Sequence, residues 1–476
     1  MPKPPLKEFQ RENVEWIQRE KRGLLADEPG LGKSRSALEG FRGTGRILIV
    51  APSLVLQTGV WHEEVEKWGD DDCEYHAVPY SQLNARPHAK DKYGKLRYTK
   101  TGSPIYQPVK RLNKDWRGHW DAVIVDEAHY IKGRDTKWTW AVKELARNTD
   151  NLILLTGTPI PNWAHEVFTL LQTIYPEEGK RGHEFLGSFW RWAERWFDCS
   201  PTFHSRGNPV VGDLLGCTPA CLRRDPNDPC EHYRKFAEAN FGPKYMRHLR
   251  ADHLDLPPIQ YVDTPAPMEP AVKRAYRELK KDFATDIGPH EVLAWSNGAK
   301  NVMLDKMTTS PWLLHKEGEP GGGKLELLRS DLRERTQPTL VLAHYRDSVE
   351  AAARVGSSVG ARTAYIHGGT TDRQNANAVR DFKAGKLDVL VGSLETLAEG
   401  LTLTVADTAI FLERSYKPSR NVQATFRVYR MGQQKAVTIQ RYITPHSIDS
   451  GKEELLNTKT DHQMRVLSAA DFVRFA

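Results

Sequence analysis

The stretch "LLADEPGLGKSRSAL" (residues 24–38) places a loop with two glycines and a lysine ahead of a helix-forming run. Such a loop holds phosphates because backbone N–H groups and the N-terminus of the following helix surround the anion while the lysine neutralises its outer oxygens. Gly30 and Gly32 permit close backbone approach, Lys33 reaches the β and γ phosphates, Ser34 offers a hydroxyl to Mg²⁺, and "SRSALEGF" supplies the helix. The strict phosphate-loop pattern asks for glycine five places before Gly32, where this chain has Asp27. That position governs the turn rather than the phosphate contact, so the chemistry survives the mismatch.

A second stretch, "VIVDEAH" (123–129), is an apolar strand that ends in two carboxylates. Hydrolysis of Mg²⁺-ATP needs this arrangement: Asp126 to hold the metal, usually through water, and Glu127 to orient and activate the attacking water. Alone, it reads equally well as a buried strand with a polar end. Behind a glycine loop, in this order, it indicates an ATPase.

Around these two pieces, short β-branched runs alternate with helical stretches, the pattern of a parallel sheet covered by helices. The first set is "RILIVAP" (46–52), "DAVIVDE" (121–127) and "NLILLTG" (151–157). The second is "TLVLAH" (339–344), "TAYIHG" (363–368), "DVLVGS" (388–393), "TAIFLE" (408–413) and "VTIQRYI" (437–443). Between them the chain is rich in Trp, Pro and charge, with helices expected over "EFLGSFWRWAERWF" (184–197) and "EPAVKRAYRELKKDFATDI" (269–287), and "GEPGGGK" (318–324) reads as a linker. The expected organisation is an α/β lobe over 1–175, a mostly helical insertion over 176–320 and a second α/β lobe over 321–476.

At 476 residues the chain exceeds the roughly 250–300 that one core supports, and 39% hydrophobic with 27% charged residues is a globular composition. No apolar run approaches the roughly 20 residues needed to span a bilayer, and "MPKPPLKEFQRENVEW" lacks the apolar core of a signal peptide. A cytoplasmic, nucleoid-associated protein is expected, or one of the host cytoplasm if the source is viral. The net charge of +7 is concentrated: residues 86–117 carry ten Lys/Arg against two Asp, with Tyr93, Tyr98 and Tyr106 interleaved. This suggests a polyanion contact through Lys95, Arg97, Lys100, Lys110 and Arg111, against the plainer reading of a solvated loop.

"DEPGLGKS" resembles the "DEMGLGKT" loop of the Swi/Snf-type ATP-dependent DNA translocases of helicase superfamily II, in which Asp at the first position is normal. The resemblance runs along nearly the whole chain. "LKEFQRENVEWI" is similar to the family's adenine-recognition segment, with Gln10 as its glutamine; "ILIVAPSLVLQTGVWHEEVEKW" resembles motif Ia, "YSQL" (80–83) the segment before the acidic strand, and "LILLTGTPIPN" motif III. "YIHGGTTDRQNANAVRDFKAG" resembles motif IV, and "VGSLETLAEGLTLTVADTAIFLERSYKPSRNVQATFRVYRMGQ" motifs V and VI joined, in the order Q-A-x-x-R-x-x-R-x-G-Q.

The resemblance implies two RecA-like lobes, with ATP held by Gln10, Asp27, Glu28, Pro29, Gly30, Leu31, Gly32, Lys33, Ser34 and Gly400, and Mg²⁺ by Ser34 and Asp126. It implies catalysis by Glu127 with Gln423, Arg427 and Arg430, the arginines reaching across the cleft to the γ-phosphate, and coupling through Thr156, Gly157 and Thr158. Without it, two arginines at i and i+3 would read as a solvated helix face. DNA contacts are implied at Pro52, Ser53, Tyr80, Ser81, Gly368, Gly369, Thr370 and Thr402, beside the basic stretch. Ala398-Glu399 replaces the usual paired glycines before Gly400, and "GLTLT" is closer to the annealing-helicase-like branch.

Five cysteines, an odd number, argue against a disulfide framework. "CTPACLRRDPNDPCEH" offers Cys217, Cys221, Cys230 and His232, with Cys199 and His204 upstream as alternatives. The spacing is not that of a standard finger, and structural zinc competes evenly with small buried thiols.

The leading expectation is a monomeric motor, using ATP and Mg²⁺, that tracks along double-stranded or forked DNA. A DEAH-type strand-separating helicase is the alternative within enzymes, disfavoured because "RMGQ" stands where those helicases usually end in Gly-Arg. A DNA-binding scaffold with an ATP-operated switch is the alternative outside them. Little room is expected for accessory modules, which suits a bacterial or viral genome.

Overall fold

Residues 3–87, 89, 90, 95–98, 104, 105, 107, 109–175, 187–200, 210–397 and 401–475 are described by the computed structural model of the chain. The chain forms two compact units, residues 1–253 with 461–476, and residues 254–460.

The strands of the first unit are β1 (Arg22–Leu25), β2 (Arg46–Ala51), β3 (Glu74–Pro79), β4 (Ala122–Val125), β5 (Asn151–Leu155), β6 (Phe197–Ser200), β7 (Val210–Leu214) and β8 (Tyr245–Met246). Six of them form one sheet, ordered β3-β2-β4-β5-β1-β8, with every pair parallel. Alternation along the strands explains why these runs are apolar throughout: both faces of the sheet are covered. Leu48, Val50, Val123, Val125 and Leu154 pack into one core layer, and Ile47, Ile49, Ile124, Ile153 and Leu155 into the other.

Helix Glu8–Glu20 closes the second layer with Trp16 and Ile17, at helical spacing from Phe9 and Asn13 on the same buried face. Helices Phe189–Trp196 and Glu231–Asn240 close the first layer with Trp192, Phe236 and Ala237. β6 and β7 form a separate antiparallel pair. Residues 187–200 and 210–253, expected within a separate insertion, therefore share the core of the first unit.

The second unit holds β9 (Ile259–Pro265), β10 (Ala284–Ile287), β11 (His290–Leu293), β12 (Thr339–Ala343), β13 (Thr363–Ile366), β14 (Val389–Ser393), β15 (Thr408–Phe411) and β16 (Val437–Ile443). Its six-stranded sheet, ordered β13-β14-β12-β15-β16-β9, is again parallel throughout. Two parallel sheets with helical layers are the two RecA-like lobes. Between the sheets' main strand runs, helices outweigh strands among the described residues of 176–320.

Two details differ from expectation. The helix expected over 269–287 stops at Asp282, because Phe283 takes a left-handed backbone (φ 62°) and residues 284–287 pair antiparallel with β11. "GEPGGGK" is not a linker between units. It lies inside the second unit and ends in helix Gly323–Glu334, where the buried Lys324 donates to the Leu412 carbonyl (2.9 Å) and pairs with Asp449 (2.7 Å). Pulling the segment away would leave a buried charge without its partner, which is costly.

Candidate nucleotide site

Register places the candidate residues. In a parallel sheet the carboxyl ends of the strands form one edge, where ligands bind. Val50 pairs with Val125, Val125 with Leu154, and Leu25 with Leu155. The residues that follow therefore emerge side by side: the glycine loop after β1, Pro52 and Ser53 after β2, Tyr80 and Ser81 after β3, Asp126 and Glu127 after β4, Thr156 after β5. Backbone bonds from Asp126 N to Val50 O (2.8 Å) and from Thr156 N to Leu25 O (3.2 Å) continue the ladder into the loops.

Within the glycine loop, Gly30 (φ 93°) and Gly32 (φ 78°) occupy the left-handed region, and Gly32 opens helix Lys33–Gly40. A Cβ at Gly32 would lie 2.6 Å from Gln10 Nε2, so the glutamine seats directly against the loop; that amide also donates to Leu31 O (3.3 Å). Lys33 Nζ donates to the carbonyls of Asp27 (2.6 Å) and Glu28 (3.3 Å), curled over the cradle it would share with a phosphate. Ser34 lies in the helix's first turn, half-buried. Pro29 touches motif III: a Cβ at Gly157 would come 2.7 Å from its ring.

The carboxylates of Asp27 and Glu28 are both held by hydrogen bonds from the chain. Asp27 is fully buried; Asn13 Nδ2 donates to one carboxylate oxygen (2.7 Å), and the backbone N and ring Nδ1 of His248 approach the other (2.8 and 3.0 Å). Glu28 accepts from Arg250 N (2.9 Å) and Nε (3.3 Å). Asp27, with its carboxylate fully buried, supports the loop from behind, while Glu28 is half-buried and held by Arg250. Asn13, His248 and Arg250 are neighbours of the loop that sequence reasoning missed. His248 lies 221 positions from Asp27, delivered by β8, and only sheet pairing reveals it.

Asp126 accepts from the Trp61 indole (2.9 Å) and the Glu127 N–H (2.9 Å), while Tyr80 Oη donates to its carbonyl (2.7 Å). Burial and the adjacent Glu127 carboxylate push its acid up to about 7, against the pull of the indole, the N–H and Lys33. Glu127 sits at φ 47°, a strained left-handed position that turns its side chain back toward His129 (Oε2 to Nδ1, 3.3 Å). His129 in turn meets Thr156 Oγ1 (3.4 Å), which accepts from Thr158 N (3.1 Å). One chain of polar contacts thus joins the acidic strand to motif III.

Two DNA-contact expectations fail on burial. Tyr80 is 2% exposed, stacked on Tyr130 (centroids 5.3 Å apart), and buttresses Asp126; Pro52 is buried at the start of helix Ser53–Gln57. Ser53 and Ser81 are accessible neighbours (Oγ to Oγ 3.4 Å). Lys95, Arg97, Lys110 and Arg111 are exposed on a small antiparallel element whose backbone bonds run from Ala85 N to Arg111 O (2.7 Å) and from Arg97 N to Ala89 O (2.9 Å). Asn84 fastens it to the unit by donating to Val109 O and Lys137 O (3.0 Å each). Lys100, His204 and Gly400 lie outside the described residues.

In the second unit, Gly368, Gly369 and Thr370 follow β13 on the surface, with Gly369 N donating to His367 Nδ1 (2.9 Å). Gln423 and Arg427 are buried on helix Pro418–Val428. Arg427 and Arg430 both donate to the Leu401 carbonyl (3.2 Å each), beside the half-buried Thr402, so motifs V and VI meet there.

Separately from the nucleotide loop, Cys217, Cys221, Cys230 and His232 have ligand atoms all within 4.8 Å of one another. Cys199 stands apart in β6, paired with Val211, among the described residues.

A family model described as an SNF2-related domain matches residues 9–225, and one described as a helicase conserved C-terminal domain matches residues 323–432. The chain is similar to the DNA annealing helicase and endonuclease ZRANB3 of Homo sapiens, 24% identical over 95% of this chain and 39% of that protein. It is similar to the ISWI chromatin-remodeling complex ATPase ISW1 of Saccharomyces cerevisiae (25%, over 96% and 40%) and to the SWI/SNF chromatin-remodeling complex subunit snf22 of Schizosaccharomyces pombe (25%, over 98% and 28%). The chain spans less than half the length of each of these relatives. Among solved structures, it matches a Sulfolobus solfataricus SWI2/SNF2 ATPase core in complex with dsDNA, 19% identical, with a TM-score of 0.39 over 100% of this chain and 96% of that one. The two domain matches cover well over half of the chain in the family's order, and with the curated relatives they show that it belongs to the Snf2 family of helicase-type ATPases.

Proposed function

We propose that the chain hydrolyses ATP to translocate on double-stranded DNA, remodelling DNA or protein–DNA structures. The observation that carries this reading is the convergence of Lys33, Asp126 and Glu127 at one sheet edge, with Glu127 linked through His129 to Thr156. The loop suits a nucleotide: Gly30 and Gly32 hold left-handed backbone (φ 93° and 78°), and a Cβ at Gly32 would collide with Gln10, which borders the loop. Ser34 and Asp126 would hold Mg²⁺, which supplies charge neutralisation to the β and γ phosphates when bound. Lys33 would exchange its carbonyl partners for phosphate oxygens, and Glu127 would orient the attacking water and take its proton. Arg427 and Arg430 are assigned to transition-state charge on the family resemblance alone.

The DNA reading rests on the exposed basic element and on the family. Relatives named for annealing and for chromatin remodelling match at nearly equal identity, so fork regression or strand annealing stands as a proposal beside remodelling. Displacement of a third strand from duplex DNA tests translocation directly. ATP-dependent displacement without separation of the underlying duplex is expected; robust unwinding would instead favour the strand-separating alternative.

A further inference from the structure

The cysteine cluster lies outside the nucleotide chemistry, and its geometry is specific. A tetrahedral zinc with Zn–S near 2.3 Å and Zn–N near 2.05 Å sets S···S at about 3.8 Å and S···N at about 3.6 Å. Cys217 Sγ and Cys230 Sγ are 3.7 Å apart, and Cys230 Sγ and His232 Nδ1 are 3.6 Å apart. The first distance is far beyond a disulfide's bond length of about 2.05 Å. Three sulfurs and an imidazole are a soft donor set that selects zinc over magnesium or calcium.

The local chain is shaped to hold them. Gly216 (φ 80°) lets the histidine ring approach, since a Cβ there would lie 2.7 Å from His232 Cδ2 and Nε2. Thr218 caps the short helix Pro219–Leu222, and an Asp225 turn, with Asn227 N on its carboxylate (2.9 Å), returns the chain to Cys230.

The cluster also has a client. Arg465 is 2% exposed and donates to the carbonyls of Cys221 (3.1 Å), Leu222 (2.7 Å) and Arg224 (2.8 Å), the end of that short helix. Nearby, His462 meets Tyr233 Oη (3.3 Å) and Asp213 (3.1 Å). A buried guanidinium is costly unless negative charge lies close. Zinc bound by three thiolates and a neutral histidine carries a net charge of about −1, one residue's backbone away from that cation.

We infer that Cys217, Cys221, Cys230 and His232 bind one structural zinc ion, and that this zinc knuckle anchors the segment 461–475 to the rest of the first unit through Arg465. The test uses the full chain, purified without metal-affinity resin, with elemental analysis and hydrogen exchange before and after chelation. About one zinc per chain is expected. Its removal should speed exchange of 461–475 at least about tenfold while the helix 33–40 changes less than about twofold. Arg465→Ala should release the same segment with zinc retained. Should Cys217→Ser with Cys221→Ser fail to fold, chelation of the wild-type chain still decides. Zinc-free wild type with a protected C-terminus, a Cys217–Cys230 disulfide by mass, or unchanged exchange after zinc loss would each overturn the inference. None of these outcomes depends on ATPase activity.

Discussion

At the scale of single residues, Asp27 and Tyr80 show how burial reassigns a role. Asp27→Ala would leave the donors of Asn13 and His248 facing a vacated buried site, and a loss of about 2–4 kcal/mol of stability is expected by denaturant unfolding. Tyr80→Phe removes one hydrogen bond to the Asp126 carbonyl. It should cost about 1 kcal/mol and lower turnover, while duplex DNA affinity at fixed salt stays within about twofold of wild type. A clear loss of DNA affinity at fixed salt would restore Tyr80 to the DNA surface. Glu127→Gln keeps the size and the left-handed turn but removes the base; turnover should fall by roughly 10²–10⁴-fold with nucleotide binding retained. Lys33, Asp126 and Glu127 stood out in the sequence because the chemistry proposed for them needs fixed residue types at fixed spacing. Asn13, Trp61, His248 and Arg250 were not, because any polar side chain of suitable reach serves and nothing local marks it.

At the scale of elements, the long β-branched runs announced themselves, since strands covered on both faces must be apolar throughout. The edge strands β8 and β9 did not. β9, "IQYVDTP", is largely solvent-facing, and β8 has only two residues, so neither carries a periodic signal. The basic stretch 86–117 was visible as charge, and the structure gives its described residues a backbone frame with Lys110 and Arg111 exposed. Lys110→Ala with Arg111→Ala should weaken binding to all duplex sequences alike. The slope of log K against log salt should fall by about one for each phosphate that the variant no longer neutralises. An unchanged slope would make this element a solvated loop.

At the scale of the whole molecule, two parallel sheets of matching architecture follow from two sets of apolar runs, and the sequence pattern shows both sets. The allocation of the region between them was less legible. Its aromatic helices contribute Trp192 and Phe236 to the first unit's core, while β9 joins the second sheet, and such long-range pairing leaves no local trace. The chain's place in the Snf2 family rests on both halves, and so does the proposed activity. The most direct measurement is the rate of ATP hydrolysis with saturating duplex DNA, compared with RNA duplex of equal length and with no nucleic acid. Strong stimulation by duplex DNA alone, abolished in Glu127→Gln, is the result expected. Equal stimulation by RNA, or no stimulated turnover in the wild-type chain, would contradict a translocase on double-stranded DNA.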